Sequence, residues 1–258
     1  MIDKMKRKSI FLLVGMLFMY LILFAVGSPS RLVVNGETVI NNKGIPDVLL
    51  VLLALLIIVL DIVLAKKISS PLQKALDEEC DPRKHFVLCR AFLRSKKKQL
   101  LQESVDYLYL GCYPSCLECT EKILTYSNTA FRLCGLFNKA RVCFFRGDQE
   151  TFTQALKQYE AEFNGKKHMR KRTRAILGNW LNNMDLLAAI MRNDVDAAGQ
   201  YRTVTSWSKS KMTEGYVNYV KGLAAKLAGD NEAAAGSFSA VIDTCKLNVL
   251  AELAEKQL

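Results

Sequence analysis

The chain has 258 residues, of which 50% are hydrophobic and 24% charged, and its formal net charge is +11. This apolar content excludes a disordered tail protein, which buries too little apolar surface to fold. Eight cysteines are too sparse for a disulfide scaffold, and five prolines with fourteen glycines exclude a collagen or a proline-rich linker.

Residues 1–9 form a basic N-terminus with Lys4, Lys6, Arg7 and Lys8. The block Ile10–Gly27 follows and carries no charge. As a helix it spans about 27 Å, close to the ~30 Å hydrocarbon core of a bilayer. A cleaved signal peptide is the rival reading, since Ala25 and Gly27 are small. The apolar run exceeds the usual signal core of about 7–15 residues, so an uncleaved helix is expected. A second block, Val48–Ala65, holds one charge, Asp61. Intramembrane acids are functional candidates, but Asp61 lies close enough to Lys66 for a cytoplasmic headgroup position. Between the blocks, 28–47 forms a short external loop. Its residues Leu32–Ile40 read as two strands around Asn35-Gly36, or as a plain loop. Basic residues flank the outer ends of both spans, which predicts a two-pass protein of the plasma membrane with both termini cytoplasmic.

Residues 66–258 lack strand signals and are rich in helix formers. Amphipathic stretches alternate with two-residue turns at Gly111-Cys112, Gly147-Asp148, Asn193-Asp194 and Gly229-Asp230. Their spacings of 36, 46 and 36 residues signal stacked repeats. Gly or Asn suits a left-handed helix end, and the following Asp suits the next N-terminus. Asp81-Pro82 opens the second helix of a half-formed first unit, with Cys80-Asp81 as its turn, and Leu247–Leu258 reads as a capping helix.

The last unit, with Gly222, Gly229-Asp230, Ala234 and Phe238, resembles a tetratricopeptide repeat. The unit with Ala140 and Gly147-Asp148 is similar but has Phe152 where that family prefers a small residue. Ser104, Tyr107 and Cys116 occupy matching places around Gly111, and the Asn193 unit matches mainly at Ala198. The expected fold class is therefore all-α: a two-helix transmembrane hairpin followed by an α-solenoid of such hairpins. A generic solenoid of helical hairpins is the alternative. The resemblance implies a scaffold or adaptor that binds a protein or peptide in a groove lined by the first helix of each unit. Those helices are Lys97–Leu110, Phe131–Arg146, Arg174–Arg192 and Gly215–Ala228, and the candidate groove residues are Gln102, Asn138, Arg141, Asn179, Asn182, Asn218 and Lys221.

Cys112, Cys116 and Cys119 have the spacing by which some enzymes hold an iron–sulfur cluster. That chemistry belongs to a strand–helix barrel, and no strand–helix alternation exists here, so buried structural thiols are expected. No nucleophile, phosphate-binding or zinc-protease motif occurs, and neither His85 nor His168 has a partner in sequence. The chain is expected to be no enzyme and to use no cofactor or metal.

The sharpest charge feature is Lys166–Arg174. Connections between units are basic, while turns within units carry Asp148, Asp194 and Asp230. A stack of hairpins would then have a basic and an acidic edge. Lys166, Lys167, Arg170, Lys171, Arg172 and Arg174 are candidates for contact with anionic headgroups. RNA is the rival ligand for this run, though no RNA-binding motif supports it.

Overall fold

The computed structural model describes residues 31–34, 37–40, 71–93, 95–166, 168–200 and 210–258. The chain divides into two compact units, Met1–Ser70 and Pro71–Leu258. In the first, β1 (Arg31–Val34) pairs antiparallel with β2 (Glu37–Ile40), with Arg31 opposite Ile40 and Val34 opposite Glu37. That register leaves a two-residue connection, as the hairpin reading expects.

The described part of the second unit is all-α. Residues 71–77 form α1. Then come α2 (Pro82–Phe92), α3 (Lys96–Tyr109), α4 (Tyr113–Leu124), α5 (Thr129–Arg146) and α6 (Gln149–Gly165). The chain continues with α7 (Lys171–Met191), α8 (Val195–Ala198), α9 (Lys211–Leu227), α10 (Asn231–Thr244) and α11 (Val249–Glu255).

The turns follow from local chemistry. Gly111, Gly147, Gly229 and Asn193 all adopt positive φ, and so does Cys80. Each closes one helix and reverses the chain. Asp148 N–H donates to the Cys143 carbonyl and Gly147 N–H to that of Phe144, and Asp230 and Gly229 repeat this with Ala225 and Lys226. These paired bonds satisfy carbonyls that a bare helix end would orphan. The next residue opens the following helix: Asp81, Asp148, Asp194 and Asp230 accept from the backbone N–H of Lys84, Thr151, Ala197 and Ala233 at 3.0–3.1 Å. Cys112 holds the same place before α4 without a side-chain cap bond.

Successive helices pack against each other, and α3, α5, α7 and α9 also touch in sequence, α3 on α5, α5 on α7 and α7 on α9. Close approach within pairs relies on glycine. A Cβ on Gly222 of α9 would lie 2.6–2.9 Å from three Phe238 ring atoms of α10. A Cβ on Gly135 of α5 would lie 2.7 Å from Ile123 Cγ2 of α4. Tyr159, Tyr216, Phe152 and Phe238 are the bulkiest fully buried side chains.

The expected transmembrane hairpin falls on 10–27 and 48–65, outside the described residues. Among the described residues no helix is long and apolar enough to cross a membrane. The longest described helix, α7, carries exposed Lys171, Arg172, Arg174 and Asp185. The integral, two-pass placement at the plasma membrane is corrected on this finding and is not carried further.

Candidate functional site

The helices α1, α3, α5, α7 and α9 enclose a cleft of about 210 Å³. Leu76, Leu101, Val105 and Met212 make it apolar, Phe137 and Trp180 make it aromatic, and Gln102, Asn138 and Arg141 bring polar groups. The Phe137 and Trp180 rings stack with centroids 4.9 Å apart and planes 6° from parallel.

Arg141 is the unusual member. It lies on α5 and is only 3% exposed, yet none of the ion pairs among the described residues includes it. Its charge rests on ring faces instead. The guanidinium carbon sits 4.1 Å from the Tyr216 centroid, 4.9 Å from Tyr109 and 5.2 Å from Phe137. One terminal nitrogen donates to the Tyr109 hydroxyl, and the other donates to Asn138 Oδ1 at 3.4 Å. Nε has no acceptor. Asn138 is turned by its own bond, donating from Nδ2 to Ser104 Oγ at 2.9 Å. Burial pushes the Tyr109 hydroxyl above its ordinary pKa, and the neighbouring Arg141 draws it partly back. Burial raises the Tyr216 hydroxyl in the same way, so both phenols stay neutral.

Of the sequence-predicted groove residues, Gln102, Asn138 and Arg141 line this cleft. Asn179, Asn182, Asn218 and Lys221 do not; Asn182 is exposed, and the other three are half-buried. The buried amide of α7 is Asn183, whose Oδ1 accepts from the Tyr216 hydroxyl at 2.9 Å. Sequence reasoning missed the aromatic residues Tyr109, Phe137, Trp180 and Tyr216, which read in sequence as ordinary core. The one local signal was Phe137, which lies one turn before Arg141 on α5.

The basic run joins α6 to α7. Lys166, Arg170, Lys171, Arg172 and Arg174 are exposed, and Lys167 lies outside the described residues. Arg174 is partly occupied within the fold, donating to the Lys166 carbonyl at 3.2 Å and lying 5.1 Å from the Phe163 centroid.

The cysteine triplet does not converge. Cys112 is exposed, while Cys116 is buried and its thiol donates to the Ser104 carbonyl at 3.0 Å. Burial pushes the Cys116 thiol up to about 12 and the Cys119 thiol to about 11. None of the three belongs to a potential metal-ligating group among the described residues.

No family model matches the chain, and no curated protein and no solved structure matches it either. The expected membership in the tetratricopeptide family is corrected accordingly. The features behind that resemblance are demanded by any tight helical hairpin. Left-handed turn glycines reverse the chain, and a small residue such as Gly222 admits an aromatic ring, whatever the family.

Proposed function

We propose that residues 71–258 form a solenoid of helical hairpins that acts as a non-enzymatic adaptor, binding an acidic segment of a partner protein in the cleft at Arg141. The observation that carries this reading is that Arg141, a residue lining the cleft, has a buried guanidinium with no carboxylate partner among the described residues. Burying an unpaired ion costs several kcal/mol. Cation–π contacts return roughly 0.5–2 kcal/mol each. The unmet Nε–H adds about 1–3 kcal/mol of desolvation penalty. An incoming Asp or Glu carboxylate removes both costs at once, accepting from Nε and neutralising the charge. The cleft's 210 Å³ is below the ~300–1,000 Å³ of small-molecule and cofactor sites, so it suits one or two peptide side chains. The stacked Phe137–Trp180 pair offers an apolar wall for a residue beside the acid. A chain of net charge +11 also draws acidic partners over distance.

The test uses the full chain and a panel of synthetic peptides that are acidic, amide-matched or basic at otherwise equal sequence. Binding is read by anisotropy of the labelled peptide. Acidic peptides are expected to bind at least tenfold more tightly than their amide counterparts. Arg141→Gln is expected to erase that preference while circular dichroism shows the helices intact. Equal affinity for acidic and amide peptides, or an unchanged preference in Arg141→Gln, refutes the reading.

A further inference from the structure

Away from the cleft, α2 and α3 enclose a second group of reactive side chains. His85 and Cys89 lie one helical turn apart on α2, which puts both on one face. Asp106 meets them from α3. All three are buried, at 3%, 0% and 0% exposure. His85 Nδ1 lies 2.7 and 2.9 Å from the two Asp106 oxygens. Cys89 Sγ lies 3.5 Å from the same ring nitrogen and 3.4 Å from Nε2. The three ligand atoms fall within 4.8 Å of one another, and this is the one such group among the described residues.

We propose that His85, Cys89 and Asp106 form a zinc site that ties α2 to α3. One imidazole nitrogen, one thiolate and one carboxylate are all ligand types that zinc accepts. With bonds of about 2.3 Å to sulfur and 2.0–2.1 Å to nitrogen, a tetrahedral shell has an N···S edge of about 3.6 Å. Sγ lies 3.5 Å from Nδ1 but also 3.4 Å from Nε2, against the ring face, so the Cys89 side chain swings toward the Nδ1 lone pair when the ion enters. The corresponding N···O edge is about 3.3 Å, so the Asp106 carboxylate withdraws by roughly half an ångström when the ion enters. A solvent water completes the shell.

A histidine–aspartate hydrogen bond alone accounts for only two of the three groups. It leaves the Cys89 thiol against the imidazole ring, 3.4–3.5 Å from both nitrogens, where it is at best a weak donor. Zinc gives each group a role. Loading displaces the Cys89 thiol proton and the proton held between His85 and Asp106, so two protons leave as Zn–S, Zn–N and Zn–O bonds form, and no electron is transferred. The thiolate and the carboxylate balance the ion's two positive charges, so the buried group is neutral. The nearby Glu103 is already engaged, accepting from Arg90 Nε at 2.8 Å and Gln99 Nε2 at 3.0 Å.

The test uses the full chain, purified under reducing conditions and incubated with zinc chloride or cobalt chloride. Desalted protein is expected to retain one zinc per chain by elemental analysis. The cobalt form is expected to show thiolate-to-cobalt charge-transfer absorption in the near ultraviolet. Cys89→Ser is expected to abolish that band, and Cys116→Ser to keep it. If Cys89→Ser does not fold, Asp106→Asn serves instead, with zinc affinity expected to fall at least tenfold. Arg141→Gln is expected to keep full zinc stoichiometry, which separates this site from the peptide cleft. Absence of retained zinc in the unmutated chain, or a cobalt band that survives Cys89→Ser, overturns the proposal.

Discussion

Replacing Gly222 and Gly236 by alanine, one at a time, tests the helix pairing with a single chemistry. Both glycines lie inside helices of the same pair, Gly222 on α9 and Gly236 on α10. Alanine gains about 0.8–1.0 kcal/mol of helix propensity at either site. The surroundings differ. At Gly236 no described residue lies within 4 Å of the added Cβ. At Gly222 the Cβ would sit 2.6 Å from Phe238 Cε1, and Phe238 is only 1% exposed. Ordinary carbon contacts are about 3.5–4.0 Å, so the ring or the helix must move by close to 1 Å. Such overpacking costs about 1–3 kcal/mol. Gly236→Ala should therefore stabilise by up to about 1 kcal/mol, while Gly222→Ala should be neutral or destabilise by up to about 2 kcal/mol. Because propensity cancels between the two, their difference isolates the packing penalty. Urea unfolding followed by circular dichroism measures it, and a Phe238→Leu background should shrink the Gly222→Ala penalty through coupling of the two sites. Equal effects of the two alanines would show that α9 and α10 do not approach as described.

Four further outcomes follow from the caps, the thiols and a buried phenol. Cys112 sits at the N-cap of α4 with backbone angles close to those of Asp148 and Asp230, so Cys112→Asp should raise stability by about 1 kcal/mol, and a fall in melting temperature would count against it. Asp148→Ala and Asp230→Ala should each cost about 1 kcal/mol by the same measurement. Iodoacetamide at pH 8 should modify exposed Cys112 well before Cys116 or Cys119, whose thiols burial holds at about 12 and 11; mass spectrometry showing equal rates would contradict that packing. Tyr216→Phe should cost about 1–3 kcal/mol in urea unfolding, because it strips the donor from buried Asn183 Oδ1.

Much of the fold was legible because it is local. The pairing of a left-handed Gly or Asn with an Asp cap is written in adjacent residues, and the three such turns read from sequence occur, at Gly147, Asn193 and Gly229; the Gly111-Cys112 turn, without a side-chain cap bond, and the Cys80-Asp81 turn occur as well. Helix starts were less legible. Lys171 and Arg172 open α7, although cations at an N-terminus cost about 0.3–1 kcal/mol each. Burial of Leu177, Met184 and Leu187 on the same helix outweighs that preference. The site was legible only in part, since one residue along a helix turns the side chain by about 100°. Asn179 and Asn182 were the expected groove amides of α7, but Asn183 is the buried one. Arg141 was named, yet its ring contacts come from α3, α5 and α9, and no local pattern announces such a convergence. His85, Cys89 and Asp106 were invisible for the same reason, with Asp106 supplied by the next helix.

The sign of one substitution decides whether Arg141 is kept for the fold or for a ligand. Arg141→Met has similar length and no charge. It forfeits three ring contacts of roughly 0.5–2 kcal/mol each. It also forfeits the hydrogen bonds to Tyr109 and Asn138, about 0.5–1.5 kcal/mol apiece. Against these losses stands the desolvation of a buried guanidinium with no counter-charge, several kcal/mol, together with the unmet Nε. The two sides nearly cancel, so Arg141→Met should leave stability within about 1–2 kcal/mol of the original while abolishing the preference for acidic peptides. A side chain retained for folding would behave oppositely, costing about 3–5 kcal/mol as a broken buried network does and leaving any peptide preference in place. Urea unfolding and peptide anisotropy on the same variant separate the two cases. A large loss of stability with unchanged peptide binding would assign Arg141 to the core and empty the cleft of its function.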